Sequence, residues 1–94
     1  MGAVRLPDDL TIYQVTEIKA ILLKALREYE RRSTAIELDF SNVKECDGAG
    51  VQLLLALSNS AAKAGATVVL HSVPKPLAKL LDDLQLSSRF LVNS

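Results

Sequence analysis

The spacing of apolar and polar positions changes several times along the chain, and each change predicts an element. Ala3-Val4-Arg5-Leu6 reads as a short strand running into the turn former Pro7-Asp8-Asp9, with Leu10-Thr11-Ile12 placed to return beside it. From about Tyr13 the period lengthens. Val15, Ile18, Leu22, Leu26 and Tyr29 recur every three or four residues, which marks one buried helix face. Glu17, Lys19, Lys24, Arg27 and Glu28 take the remaining surface, and the helix is expected to fray into Glu30-Arg31-Arg32-Ser33.

Ala35 to Phe40 alternates strictly, with Ile36, Leu38 and Phe40 facing one way and Glu37 and Asp39 the other. A strand buried on both faces reads as a continuous apolar run and does not carry two carboxylates. The alternation therefore predicts a sheet covered by helices on one face and partly wet on the other. A second helix is predicted from about Gly48 to Ala64, with Val51, Leu54, Leu55, Ala61 and Ala62 inward and Gln52, Asn59, Ser60 and Lys63 outward. Asp47 stands at its N-cap and Gly65 just past its end, the usual asymmetry of helix termini. Thr67-Val68-Val69-Leu70-His71 is a short apolar strand. Ser72-Val73-Pro74-Lys75-Pro76 opens a third helix carrying Leu77, Leu80, Leu81 and Leu84, and Phe90-Leu91-Val92 adds a last strand. The order β-β-α-β-α-β-α-β with right-handed crossovers predicts a small layered α/β fold. Its sheet is mixed, because the first two strands are read as a hairpin, and its helices pack mainly on one face.

Composition narrows the function. The chain has 94 residues, 49% hydrophobic and 23% charged, which fits a single domain spanning residues 1–94. Eleven basic residues balance eleven acidic ones, and nucleic acid as a main partner needs a basic surface that this balance does not supply. No apolar run approaches the ~18 residues of a membrane span. The start, Met1-Gly2, lacks a signal-peptide layout and the Ser or Thr at position 6 that myristoylation needs. The one cysteine has no internal disulfide partner. These features predict a cytoplasmic protein without direct membrane insertion.

The most informative stretch is Glu45-Cys46-Asp47-Gly48-Ala49-Gly50-Val51-Gln52-Leu53-Leu54-Leu55, where a loop enters the leucine-rich second helix. Two glycines leave the first helical turn almost bare, so a partner's backbone or a small anion can approach it closely. Leu38-Asp39-Phe40-Ser41-Asn42-Val43 followed by Cys46-Asp47-Gly48-Ala49-Gly50 resembles the signature of STAS domains, the anti-sigma-factor-antagonist fold. Members of that family read Asp-Leu-Ser, then Asp-Ser-Ser-Gly or Asp-Thr-Ala-Gly, then an apolar helix. The resemblance covers nearly the whole chain in element order, with shorter N-terminal strands and no fourth, C-terminal helix. It implies a non-enzymatic module that binds a partner protein through the start of the second helix. In regulatory members a partner kinase phosphorylates the Ser or Thr directly after the motif aspartate. Here Gly48 holds that place and Ala49 the next, so the phosphoacceptor is missing.

The partner-contact residues implied are Asp47, Gly48, Ala49, Gly50 and Gln52, on a surface that binds an anti-sigma or serine kinase, or a chemotaxis component. Asp47-Gly48-Ala49-Gly50-Val51-Gln52-Leu53-Leu54 is also similar to the Asp-Thr-Ala-Gly-Val-Gln-Leu-Leu of single-domain members from chemotaxis-type clusters and lipid-transport ABC systems. The alternative it implies is an accessory subunit bound to an ABC ATPase. Plain structural roles stand beside these. Asp47 is a helix cap in either case, and Gly50 answers to helix–sheet packing or to partner approach. Cys46 reads as a small packed residue, Ser41 as a loop cap, and Glu37, Asp39 and the Arg27–Arg32 segment as solvated surface. His71 stands alone, without a second ligand at metal spacing. No nucleophile–base pair, phosphate-cradling glycine loop or metal cluster is legible, so no enzyme activity, cofactor or metal is expected.

Overall fold

The computed structural model describes residues 3–32 and 35–93, the side chains of residues 31 and 32 excepted. Six short strands and three helices follow in the order β1 (Val4–Arg5), β2 (Asp9–Leu10), α1 (Val15–Arg32), β3 (Ile36–Asp39), β4 (Glu45–Cys46), α2 (Gly48–Ala64), β5 (Val68–His71), α3 (Lys75–Asp83) and β6 (Leu91–Asn93). A 3₁₀ turn over Ile12–Gln14 leads into α1, and another over Ser87–Arg89 precedes β6. The layered α/β architecture is the one the sequence predicts. Helix α1 stays helical to Arg32. The fray expected at Ser33, the surface roles of Arg31 and Arg32, and the reading of Met1-Gly2 lie outside the described residues.

The mixed sheet is corrected. Four strands form a sheet in the order β1-β3-β5-β6, β2 and β4 form a separate pair, and every pairing among the described residues is parallel. The hairpin fails because Pro7-Asp8 does not reverse the chain. Val4 lies opposite Leu38, and Asp9 and Leu10 lie opposite Glu45 and Cys46, so the first ten residues track the later segment in one direction. Between the two ladders Leu6 N–H donates to Asp39 O (3.0 Å) and Lys44 N–H to Asp8 O (2.8 Å). Backbone groups that a hairpin would have paired locally are thus satisfied by a strand more than thirty residues away.

Parallel register sorts the side chains by face. Ile36, Leu38, Val68 and Leu70 are buried, and all three helices turn their apolar stripes onto them: Ile18 and Leu22 from α1, Val51 and Leu54 from α2, Leu77 and Leu81 from α3. Each such side chain, taken fully out of water, is worth about 1.5–3 kcal/mol. The other face holds Glu37, Asp39, Val69 and His71, all half-buried, as the alternation predicts. Its polar groups are partnered: His71 Nε2 lies 2.7 Å from Glu37 Oε1, and Arg5 Nε lies 3.7 Å from Asp39 Oδ2.

Helix α2 has the predicted ends. Gly65 takes a left-handed conformation (φ 74°) that a side chain would strain, and its N–H returns to Ala61 and Ala62 carbonyls. Its inner stripe differs slightly: Leu57 and Ser58 are buried, whereas Ala62 is exposed. Tyr29 Oη reaches Ala64 O at 3.5 Å, fastening the far ends of α1 and α2.

Candidate functional site

The start of α2 is built by one aspartate. Asp47 is extended (φ −140°, ψ −175°), which aims its carboxylate back over the first turn. Oδ1 accepts the N–H groups of Ala49 (2.9 Å) and Gly50 (3.2 Å), two donors that a helix start leaves without a backbone partner. Oδ2 accepts Ile12 N–H at 3.2 Å. The backbone of Asp47 is held as well, its N–H donating to Leu10 O (3.2 Å) and its carbonyl accepting from Val51 (3.2 Å). One side chain therefore caps the helix and clamps it to the 3₁₀ turn that follows β2.

The residues after it divide by position. Gly48 is exposed, and a Cβ built there would meet nothing within 4 Å. Ala49 is half-buried and Gln52 exposed. Gly50 is buried, and a Cβ there would stand 2.9 Å from Leu10 Cγ, 3.0 Å from Leu10 C, and closer still to the Leu10 carbonyl oxygen. That glycine lets α2 descend onto β2. It faces the strand and not the surface, so of the five residues singled out in the sequence, Gly48, Ala49 and Gln52 are accessible while Asp47 and Gly50 shape the turn.

Cys46, half-buried beside the cap, has its thiol pKa pushed up, first by burial and then by the Asp47 charge. Both effects disfavour the thiolate and oppose reactivity. Asp39 is shifted the other way. Ser41 donates its backbone N–H to Asp39 Oδ1 (2.8 Å), and with the Ser41 hydroxyl and Arg5 it holds the carboxyl below its ordinary value. Ser41 itself is exposed. Among the described residues no three of His, Cys, Asp and Glu stand together as metal ligands, and no helix is long and apolar enough to cross a membrane.

The sequence reading missed Ile12 and Tyr13. They occupy the 3₁₀ turn beside Asp47, where the Thr11 hydroxyl accepts Tyr13 N–H (3.4 Å) and bonds to Asp9. Both are exposed large apolar side chains. The available signal was that Tyr13 falls outside the stripe beginning at Val15.

Comparison with known proteins agrees with this architecture. The family model described as "Mlab, STAS domain" matches residues 1–93. A crystal structure of a Thermotoga maritima protein assigned as an anti-sigma factor antagonist superposes with a TM-score of 0.79, at 17% identity, over 95% of this chain and 75% of that one. The anti-sigma factor antagonist SpoIIAA in its unphosphorylated form superposes with a TM-score of 0.70, at 18% identity, over 100% of this chain and 84% of that one. At such identities the likeness is one of fold. No curated protein matches the sequence.

Proposed function

The chain belongs to the STAS family, and on that footing we propose that it is a non-enzymatic protein-interaction module of a bacterial regulatory pathway, acting through the amino end of α2. The observation that carries this reading is Gly48. It is exposed, has open space where a side chain would stand, and lies on a turn held rigid by the Asp47 clamp. A partner backbone can approach such a turn without displacing side chains, and little order is lost on docking. Gly48, Ala49 and Gln52 form the contact surface, with Asp47 and Gly50 setting its shape.

The same position governs regulation. A phosphoryl group adds about −1.5 to −2 charges to an interface, yet neither Gly48 nor Ala49 has a hydroxyl to carry it. Binding here is constitutive on this chain's side, and any switch lies in the partner. Gly48→Asp puts a fixed negative charge at that place, and it should weaken partner binding by about 1–2 kcal/mol. Unchanged affinity in a variant that still folds would rule out this contact surface.

The second reading, an accessory subunit bound to a lipid-transport ABC ATPase, is supported by the Asp47–Leu54 likeness. Native pull-down from the source cells, with ATP and with ADP, separates the two. An anti-sigma kinase or chemotaxis component in the eluate supports the regulatory reading, and an ABC ATPase supports the other.

A further inference from the structure

Ile12 and Tyr13 stand next to the bare turn of α2, 63% and 88% exposed. Their backbone is not free to turn them inward. Gln14 N–H donates to Thr11 O (2.9 Å), Tyr13 N–H is held by the Thr11 hydroxyl, and Ile12 N–H is held by Asp47 Oδ2. Thr11 is itself buried at 8% exposure. Two large apolar side chains are thus presented outward on a turn tied by hydrogen bonds to the helix start. The other large apolar side chains that the fold leaves exposed, Leu23, Leu84, Leu91 and Val92, belong to the middle of α1, the end of α3 and β6.

The charged residues of the β2 and β4 segments that lead to the pair and to α2 are mostly acidic. Asp8 and Glu45 are exposed, and Asp9 and Asp47 are half-buried. They lie together because Asp9 is opposite Glu45 in the β2–β4 ladder, and the Asp8 carbonyl accepts from both Lys44 and Glu45. Along the strand ends leading to α2, residues 8–10 and 44–47 carry these four carboxylates and one ammonium, that of Lys44. Aromatic anchors seated in a desolvated pocket carry most of the energy in protein interfaces, and rim charges select the partner.

We propose that Ile12 and Tyr13 are the apolar anchor of this chain's binding surface, received by a partner protein in an apolar cleft bordered by basic side chains. The proposal rests on the reading that the partner contacts the amino end of α2. It adds the residues that hold the partner and the chemistry that the partner must offer.

The test uses the full chain in its source cells with the photo-crosslinker p-benzoylphenylalanine in place of Tyr13, Gln52 or Leu91, in turn. The protein captured at Gln52 is then purified and titrated with the unmodified chain and with Ile12→Ser and Tyr13→Ser, each checked for native circular dichroism. The expected result is the same protein captured at Tyr13 and Gln52 but not at Leu91. Its affinity should fall about tenfold or more for Tyr13→Ser, and should fall with added salt for the unmodified chain. Capture at Gln52 with unchanged affinity in both serine variants overturns the anchor and leaves the α2 reading standing. Salt-independent affinity, or a second copy of this chain as the captured protein, overturns the basic cleft. No capture at either Tyr13 or Gln52 overturns the anchor and the α2 reading together.

Discussion

Replacing Gly50 by Ala sets two effects of known sign against each other. In a helix interior Ala is favoured over Gly by about 1 kcal/mol, so on propensity alone the variant should be more stable. The added methyl, however, would stand 3.0 Å from the carbonyl carbon of Leu10, 2.9 Å from its Cγ, and closer still to its carbonyl oxygen. The first and last of these atoms are backbone and cannot swing aside, so α2 and β2 must separate. Forcing a methyl into a filled contact costs about 1–3 kcal/mol. The separation also strains the bond from Asp47 N–H to the Leu10 carbonyl, now 3.2 Å, a further loss of about 0.5–1.5 kcal/mol. The net expectation is a destabilisation of about 1–3 kcal/mol, read by urea unfolding at equilibrium. Gly48→Ala is the control, because nothing lies within 4 Å of its added methyl, and it should be neutral or slightly stabilising. A Gly50→Ala variant as stable as the unmodified chain would refute the close helix–strand approach and return Gly50 to the list of surface contacts.

Other outcomes follow from the same geometry. Asp47→Ala should cost about 1–2 kcal/mol in unfolding experiments, and because Oδ2 holds Ile12 N–H, it should also speed hydrogen exchange at Ile12. Asp39 has its folded-state pKa lowered from 3.8 by Ser41 and Arg5. Its contribution to stability is therefore complete above the unfolded value and lost as pH falls through the folded one. Asp39→Asn should be less stable than the unmodified chain near neutral pH, and acid titration should make the two converge below 3.8. Cys46, with its pKa raised from 9.0 by burial and by Asp47, should alkylate slowly at neutral pH in the folded protein. Rapid modification by iodoacetamide there would contradict its packed environment.

Helix α2 was legible from the sequence almost to the residue because its determinants are local: a cap two and three residues from the donors it satisfies, a stripe repeating each turn, and a glycine for the left-handed exit. The strict alternation at Ile36–Asp39 was enough to predict one buried and one polar sheet face. That neither Gly48 nor Ala49 carries a hydroxyl is a plain fact of the sequence. The direction of β2 was not legible. Pro7-Asp8-Asp9 has the residues of a turn, and only the bonds that Lys44, Glu45 and Asp47 N–H donate to the Asp8 and Leu10 carbonyls show that the chain runs on. Those partners lie more than thirty residues away, where periodicity carries no information. For the same reason tertiary structure alone decided between the two roles of Gly50: the atom that requires a glycine there is the carbonyl oxygen of Leu10. It also decided that Ile12 and Tyr13 face outward, because the groups that hold their backbone, Thr11 and Asp47, come together only when the first strand segment docks on the start of α2.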